Sequence, residues 1–171
     1  MAKVLALAAS GFGKSTSFGN VPQLGIKGLD PLTTFIITAT SKPLPFKGSG
    51  TSYKIVNPEN PPTVDNGNRL VSNNGHFIAK TISYILMNRP EITSIVIDDA
   101  NYVMQDYYMA NAMKKGYDTF KEIGASMSAI FTAMEGSNTV DFFMLAHYEE
   151  FKDSNGDTIS YRFKTVGKMV G

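Results

Sequence analysis

The sequence contains no cysteine among its 171 residues. A chain without cysteine can form neither a disulfide framework nor a thiolate metal site. This fits a reducing compartment, although many secreted proteins lack cysteine too. The chain also lacks an excess of charge of one sign, because its formal net charge is only +1. No strong overall field therefore draws the protein to nucleic acid or to a membrane, and a nucleic-acid role would depend on local patches.

Long apolar runs are also missing. The run over residues 4–9 spans about six residues, fewer than the roughly 7–15 apolar residues of a signal-peptide core. Nothing approaches the ~18 apolar residues of a membrane span. We expect a soluble, cytoplasmic protein with no membrane partner.

Apolar runs alternate with amphipathic segments along the chain. Uninterrupted apolar or β-branched runs predict strands, and the run over residues 4–8 predicts a central parallel strand buried on both faces. The strand predictions cover residues 4–8, 33–39, 94–97 and 140–146, with a further short strand at 52–56. The helix predictions cover a short segment after Gly13 and residues 77–87, 104–115 and 120–135. Residues 41–75 are rich in proline, glycine and asparagine and predict a long irregular stretch, usually functional or mobile.

The alternation predicts an α/β fold with three α/β/α layers and a mostly parallel sheet. Asn155-Gly156, between two strand-like runs, predicts a C-terminal β-hairpin with a two-residue turn. The length suits one domain over residues 1–171. Residues 165–171 are strand-like and end without a turn, which predicts truncation of a longer parent chain.

A phosphate-binding motif follows the first predicted strand. Ala8-Ala9-Ser10-Gly11-Phe12-Gly13-Lys14-Ser15 matches G-x-x-x-x-G-K-[ST], except that Ala8 replaces the first glycine. In this motif backbone N–H groups surround the phosphates, the lysine reaches the β- and γ-phosphates, and the hydroxyl binds Mg²⁺. The predicted ligands are ATP and Mg²⁺, with Ser15 on the metal. The predicted nucleotide contacts are Ala9, Ser10, Gly11, Phe12, Gly13, Lys14, Ser15 and Thr16. The alternative is a glycine turn that binds nothing.

Acidic and imidazole groups follow two later strands. Asp98 ends one strand and is the predicted Mg²⁺-organising acid, while Asp99 is the candidate for polarising the attacking water. His147 follows the next strand and is a candidate γ-phosphate sensor. The alternatives are a solvated acidic turn and a capping histidine. Glu149 or Glu150 could replace Asp99 as the base.

Several segments together resemble a known family. Residues 8–16, 24–31, 42–48, 97–99 and 116–118, with the strand that ends at His147, are similar to small phage-encoded AAA/RecA-like P-loop ATPases of the single-strand-annealing, Sak-type recombination group. The resemblance covers nearly the whole chain. It implies a RecA-like core, ATP hydrolysis, single-stranded DNA as a partner, and homo-oligomeric rings or filaments in the host cytoplasm. It also implies that Lys168 could reach a neighbouring subunit's γ-phosphate, although a solvated strand lysine is the simpler interpretation.

Basic and aromatic residues are interleaved in residues 41–54. Lysines can track a DNA backbone and aromatic rings can stack on bases, but an ordinary surface loop explains the same residues. The residues concerned are Lys42, Phe46, Lys47, Tyr53 and Lys54. Tyr102, Tyr107 and Tyr108 could likewise face DNA or pack in a helix core.

Other functions remain open for a P-loop domain. They are a DNA-packaging or helicase-loading motor, a nucleotide-gated binding protein with little turnover, and a small-molecule kinase. A calcium loop at residues 153–157 is disfavoured because the later bidentate glutamate is missing.

Overall fold

Five parallel strands form the central sheet of the computed structural model, which describes residues 1–56, 67–113 and 117–166. They are β1 (Lys3–Leu7), β2 (Thr34–Thr38), β3 (Arg69–Val71), β4 (Ser94–Asp98) and β5 (Asp141–Ala146). Their order in the sheet is β1-β5-β4-β2-β3. Strands β6 (Tyr148–Lys152) and β7 (Thr158–Phe163) pair antiparallel in a separate two-stranded sheet. The α/β class, the parallel sheet and the C-terminal hairpin are therefore confirmed.

Helices lie on both faces of the sheet. They are α1 (Lys14–Ser17), α2 (Ser49–Ser52), α3 (Gly75–Asn88), α4 (Asn101–Ala110) and α5 (Asp118–Glu135). The long helices α3 and α5 pack over the main core, which includes Phe35, Ile82 and Phe142. A smaller cluster on the opposite face contains Phe18, at the end of α1, and Tyr53, at the end of α2. This arrangement is compatible with three α/β/α layers.

Strands β2 and β4 are buried along their whole length. Alternate residues contribute to the two opposite cores: Phe35 and Ile37 belong to the larger cluster, while Ile36 belongs to the smaller one. A strand buried on both faces needs apolar residues along its centre, which explains the apolar runs over residues 35–37 and 95–97.

The first strand differs from its prediction. In the part of the chain that the structure describes, β1 pairs only with β5 and so forms an edge. Val4 is 40% exposed and Leu5 is 51% exposed, so the predicted central strand buried on both faces is wrong. The apolar run indicated a strand correctly, but composition does not determine how many neighbouring strands it has.

Three local details also differ from the predictions. Strand β3 was missed, because it has only three residues inside a stretch dominated by turn-forming residues. Around residues 52–56 the structure has the end of α2 and one isolated bridge, Ile55 to Arg69, rather than a strand. Helix α4 ends at Ala110, while residues 114 and 115 of the predicted helix lie outside the described residues.

The hairpin loop spans residues 153–157 instead of two residues. Asp153 Oδ1 accepts hydrogen bonds from the backbone N–H groups of Asn155 and Asp157, both at 2.9 Å. Gly156 has φ 89°, which glycine adopts at little cost. The acidic run therefore forms the turn. Within the described residues no helix has both the length and the apolar character needed to cross a membrane.

Candidate functional site

The predicted site residues meet at one edge of the sheet. Strands β1, β5 and β4 are neighbours and run parallel, so the segments that follow them share the carboxyl edge. Lys14 begins α1, just after the loop that follows β1, and His147 is the residue after β5. Asp98 ends β4 and Asp99 follows it. Because β5 lies between the other two strands, His147 stands between the lysine and the acids.

The loop before α1 has the backbone geometry that its glycines permit. Gly11 has φ 80° and Gly13 has φ 79°, both in the left-handed region that costs other residues more. Ala8 does not have a positive φ, so alanine in place of the usual first glycine is not strained. The Ala8 N–H continues the β1–β5 ladder by donating to Ala146 O at 3.2 Å. Phe12, at the loop's tip, is 77% exposed.

Lys14 is held by three acceptors. Its Nζ donates to Ala8 O and Ala9 O, each at 3.0 Å, and lies 3.3 Å from His147 Nδ1. Burial disfavours the ammonium and lowers the pKa of Lys14, while the carboxylates of Asp99 and Asp98 oppose that shift.

The two nitrogens of the His147 ring face Lys14 and Asp99. An ammonium only donates hydrogen bonds, so Nδ1 accepts from Lys14 in the Nε2–H tautomer. Nε2 lies 3.6 Å from Asp99 Oδ1. The pKa of His147 is lowered by burial and then by the Lys14 charge, against the opposing effects of Asp99 and the Ala8 carbonyl. Burial and the Lys14 charge therefore favour the neutral imidazole over the imidazolium.

Asp98 is buried beside the Ser15 hydroxyl. Burial is the main cause that raises the pKa of Asp98, and the charge of Asp99 adds to it. Hydrogen bonding by Ser15 and by the Asp99 N–H, at 3.0 Å, opposes the rise, as does Lys14. A hydroxyl and a carboxylate are oxygen ligands of the kind that Mg²⁺ prefers. The described residues contain no cluster of three or more His, Asp or Glu side chains suited to a metal, so further oxygens would come from phosphate or water.

Asp99 has an unusual backbone. Its φ is 56°, and among the described residues it is the one non-glycine residue with positive φ. Aspartate tolerates the left-handed region better than most residues but still at a cost. Such strain is concentrated at functional sites, where surrounding contacts maintain it.

Two residues of α4 support His147: Asn101, which was missed in the sequence, and Tyr102, which was considered only for DNA contact or core packing. Buried Asn101 accepts a hydrogen bond from the His147 backbone N–H at 3.2 Å. The Tyr102 ring packs edge-on against the His147 ring, with centroids 6.3 Å apart. The Tyr102 ring also contacts Lys42, whose Nζ lies 5.5 Å from the ring centroid. In the sequence Asn101 is visible only as a polar residue soon after Asp98 and Asp99. Its contact with His147 depends on the strand order, which the sequence does not show.

Arg69 is a second missed group near this edge. The arginine is buried, and its guanidinium donates to Thr38 Oγ1 and to Lys42 O, the latter at 2.7 Å. Burial lowers its pKa, and the charge of Asp98 opposes this. Thr38 is paired in register with Asp98, so Arg69 fixes the end of the strand beside the acid.

Some candidate residues lie elsewhere. Glu150 contacts Thr158 and Lys152 within the hairpin, and Glu149 faces Arg162 in the register of the same hairpin. No contact in the described residues brings either glutamate to Lys14. Lys168 lies outside the described residues.

The proposed base-stacking rings are not available for stacking. Phe46 and Tyr53 are buried and pack edge-on, with their centroids 6.0 Å apart. The hypothesis that they stack on bases is therefore wrong. Tyr108 packs against Phe120, whereas Tyr107 is 36% exposed. The lysines of the same loop are exposed: Lys42, Lys47 and Lys54.

No protein-family model matches the chain, and no curated protein sequence matches it either.

Proposed function

We propose that this protein is a Mg²⁺-dependent P-loop ATPase with a RecA-like core, which binds ATP at residues 8–16 and hydrolyses it. The supporting observation is the convergence of Lys14, His147 and Asp99 from three different strand ends, together with the Ser15–Asp98 pair. A glycine turn that bound nothing would not need these groups to meet.

The residues of the site have distinct roles in this proposal. The left-handed glycines let backbone N–H groups face the phosphates, and Lys14 neutralises β- and γ-phosphate charge. Ser15 and Asp98 hold Mg²⁺, which stabilises negative charge on the transferred phosphoryl group. Asp99 or His147 orients the attacking water, since both lie at the edge where the phosphates would end.

Single-stranded DNA is the proposed partner, in phage recombination or annealing, with assembly into a ring or filament. This step is supported by the family resemblance and by three exposed lysines in residues 41–54, which could contact DNA phosphates. Phosphate contacts of this kind weaken steeply as salt rises.

The test is ATP turnover measured with and without single-stranded DNA on wild-type protein and two variants. Lys14→Ala should reduce turnover about 100-fold or more, because it removes a positioned charge that stabilises the transition state. Lys80→Ala is the matched control, since Lys80 is an exposed lysine on α3, and its turnover should equal wild type. Unchanged turnover in Lys14→Ala would rule out the proposed site.

The same assay separates the alternative functions. Stimulation by single-stranded DNA that falls with salt supports the recombination proposal. Stimulation only by duplex DNA or a protein partner indicates a packaging or loading motor. ATP binding without turnover under every condition indicates a nucleotide-gated binding protein.

A further inference from the structure

The ammonium of Lys14 has a full set of hydrogen-bond partners. An ammonium has three N–H donors. Three acceptors lie around Lys14 Nζ: the carbonyls of Ala8 and Ala9 at 3.0 Å and His147 Nδ1 at 3.3 Å. A phosphate oxygen can therefore gain a hydrogen bond from Lys14 only if one of these acceptors is displaced.

The three acceptors are not equally easy to displace. The Ala8 and Ala9 carbonyls belong to the main chain where it leaves β1, and the Ala8 N–H is bonded to Ala146. His147 contributes a side chain, at the longest of the three distances, and its main chain is held separately by Asn101. A side-chain rotation would therefore release Lys14 without moving the backbone, and would also break the contacts of the ring with the Ala8 carbonyl and Asp99.

We propose that His147 is the exchange partner of Lys14: a phosphate group that binds Lys14 displaces the imidazole from it. The inference rests on the proposed function, because the competing ligand is the β-phosphate of a nucleoside di- or triphosphate. Nucleotide binding must then overcome the Lys14–His147 contact, so the histidine weakens affinity. In return, Nδ1 of His147 becomes free when phosphate occupies Lys14.

Side-chain contacts also connect the His147 ring to the protein surface. The His147 ring packs on Tyr102, and the Tyr102 ring also contacts the ammonium of exposed Lys42. Rotation of the imidazole changes the packing of Tyr102, and with it the position of Lys42 on residues 41–54. Phosphate binding is thereby linked to a basic surface loop through side chains already in contact.

ADP affinity tests the exchange directly. ADP has no γ-phosphate, so a γ-phosphate-sensing role of His147 does not affect the measurement. His147→Ala should bind Mg-ADP about threefold to tenfold more tightly than wild type in calorimetric titrations, which is the range expected for one hydrogen bond to a charged group. His147→Asn places an acceptor close to the position of Nδ1 and should restore an affinity near wild type.

His76→Ala is the matched control, because His76 is the chain's other histidine and is exposed at the start of α3. Its ADP affinity should equal wild type. Affinity of His147→Ala that is unchanged or weaker would overturn the exchange while leaving ATP binding established. Failure of wild-type protein to bind ADP or ATP would instead contradict the proposed function itself.

A spectroscopic measurement gives an independent result that does not depend on the stability of a variant. With only two histidines, ¹⁵N-labelled imidazole resonances are assigned by comparison with His76→Ala. Free protein should show the Nε2–H tautomer for His147, and saturating ADP should shift its Nδ1 resonance as the Lys14 hydrogen bond is lost. An Nδ1 resonance that does not move at saturation would overturn the exchange.

Discussion

At the scale of single residues, Asp99 combines a strained backbone with a position at the candidate site. Glycine adopts its φ of 56° without the Cβ clash that other residues experience. Asp99→Gly should therefore be about 1 kcal/mol more stable than Asp99→Ala, although both lose the same carboxylate. Both variants should also lose ATP turnover if Asp99, rather than His147, orients the attacking water. Denaturant unfolding of the two variants gives the difference, and equal free energies of unfolding would show that the strain is absent.

Tyr53 allows a prediction about alkaline pH. Its hydroxyl is buried and has no hydrogen-bond partner in the described residues. Burial, with a further contribution from the charge of Asp30, raises its pKa to about 12, and the Thr34 hydroxyl partly offsets this without reaching hydrogen-bond geometry.

A raised folded-state pKa means that the native protein retains a proton that the unfolded chain releases. Stability from Tyr53 is thus complete below pH 10 and is lost as pH rises from about 10 to 12, by roughly 2 kcal/mol. Tyr53→Phe should be neutral or slightly stabilising at pH 7, because it removes an unpaired buried hydroxyl. Free energies of unfolding of wild type and Tyr53→Phe, measured across this pH range, test the prediction. The pH dependence of the two proteins should be the same if the Tyr53 hydroxyl is solvated.

At the scale of elements, the sequence predicted strands better than it predicted their neighbours. The continuous apolar runs of β2, β4 and β5 identified each strand because burial requires that composition. Strand β1 has similar composition yet lies at the edge of the described sheet. Sequence pattern is local, whereas strand order depends on long-range pairing.

The same distinction explains the site. Lys14, Ser15 and Asp98 could be predicted because a short motif and an apolar strand end locate them. The contact of Lys14 with His147 could not, because it exists only if β5 lies beside β1. Asn101 and Arg69 were missed for the same reason.

The segment after α1 depends on a close approach of two glycines. Gly28 has φ 68°, and a Cβ there would lie 2.4 Å from the backbone of Gly19. Gly25 has nearly the same φ, 67°, with nothing within 4 Å of an added Cβ. An alanine at Gly25 would therefore test backbone strain alone, whereas an alanine at Gly28 would add a steric clash to the same strain.

Gly28→Ala should be clearly less stable than Gly25→Ala. Gly25→Ala should cost about 1 kcal/mol from its left-handed backbone alone. Gly28→Ala should cost about 2–3 kcal/mol more, because the backbone itself must move. Thermal and denaturant unfolding measure both, and equal losses would mean that the two glycine segments separate easily.

At the scale of the whole molecule, the packing is uneven. The larger cluster joins the sheet to α3 and α5, and includes fully buried residues of β2, β4 and β5. Along the hairpin, by contrast, every residue from Thr158 to Phe163 is exposed or only partly buried. Regions with few buried contacts open with a smaller free-energy cost than a central core.

Hydrogen exchange should therefore be slowest in β2 and β4 and fastest among protected amides in β6 and β7. Within the hairpin, the Arg162 guanidinium lies 3.9 Å from the centroid of the Phe151 ring. Arg162→Ala should accelerate exchange of the hairpin amides about two- to fivefold, the effect expected for an exposed cation–π contact. Exchange in β4 should be unchanged in that variant, because the hairpin opens independently of the core. Equal acceleration in β4 would show instead that the hairpin and the parallel sheet unfold as one cooperative unit.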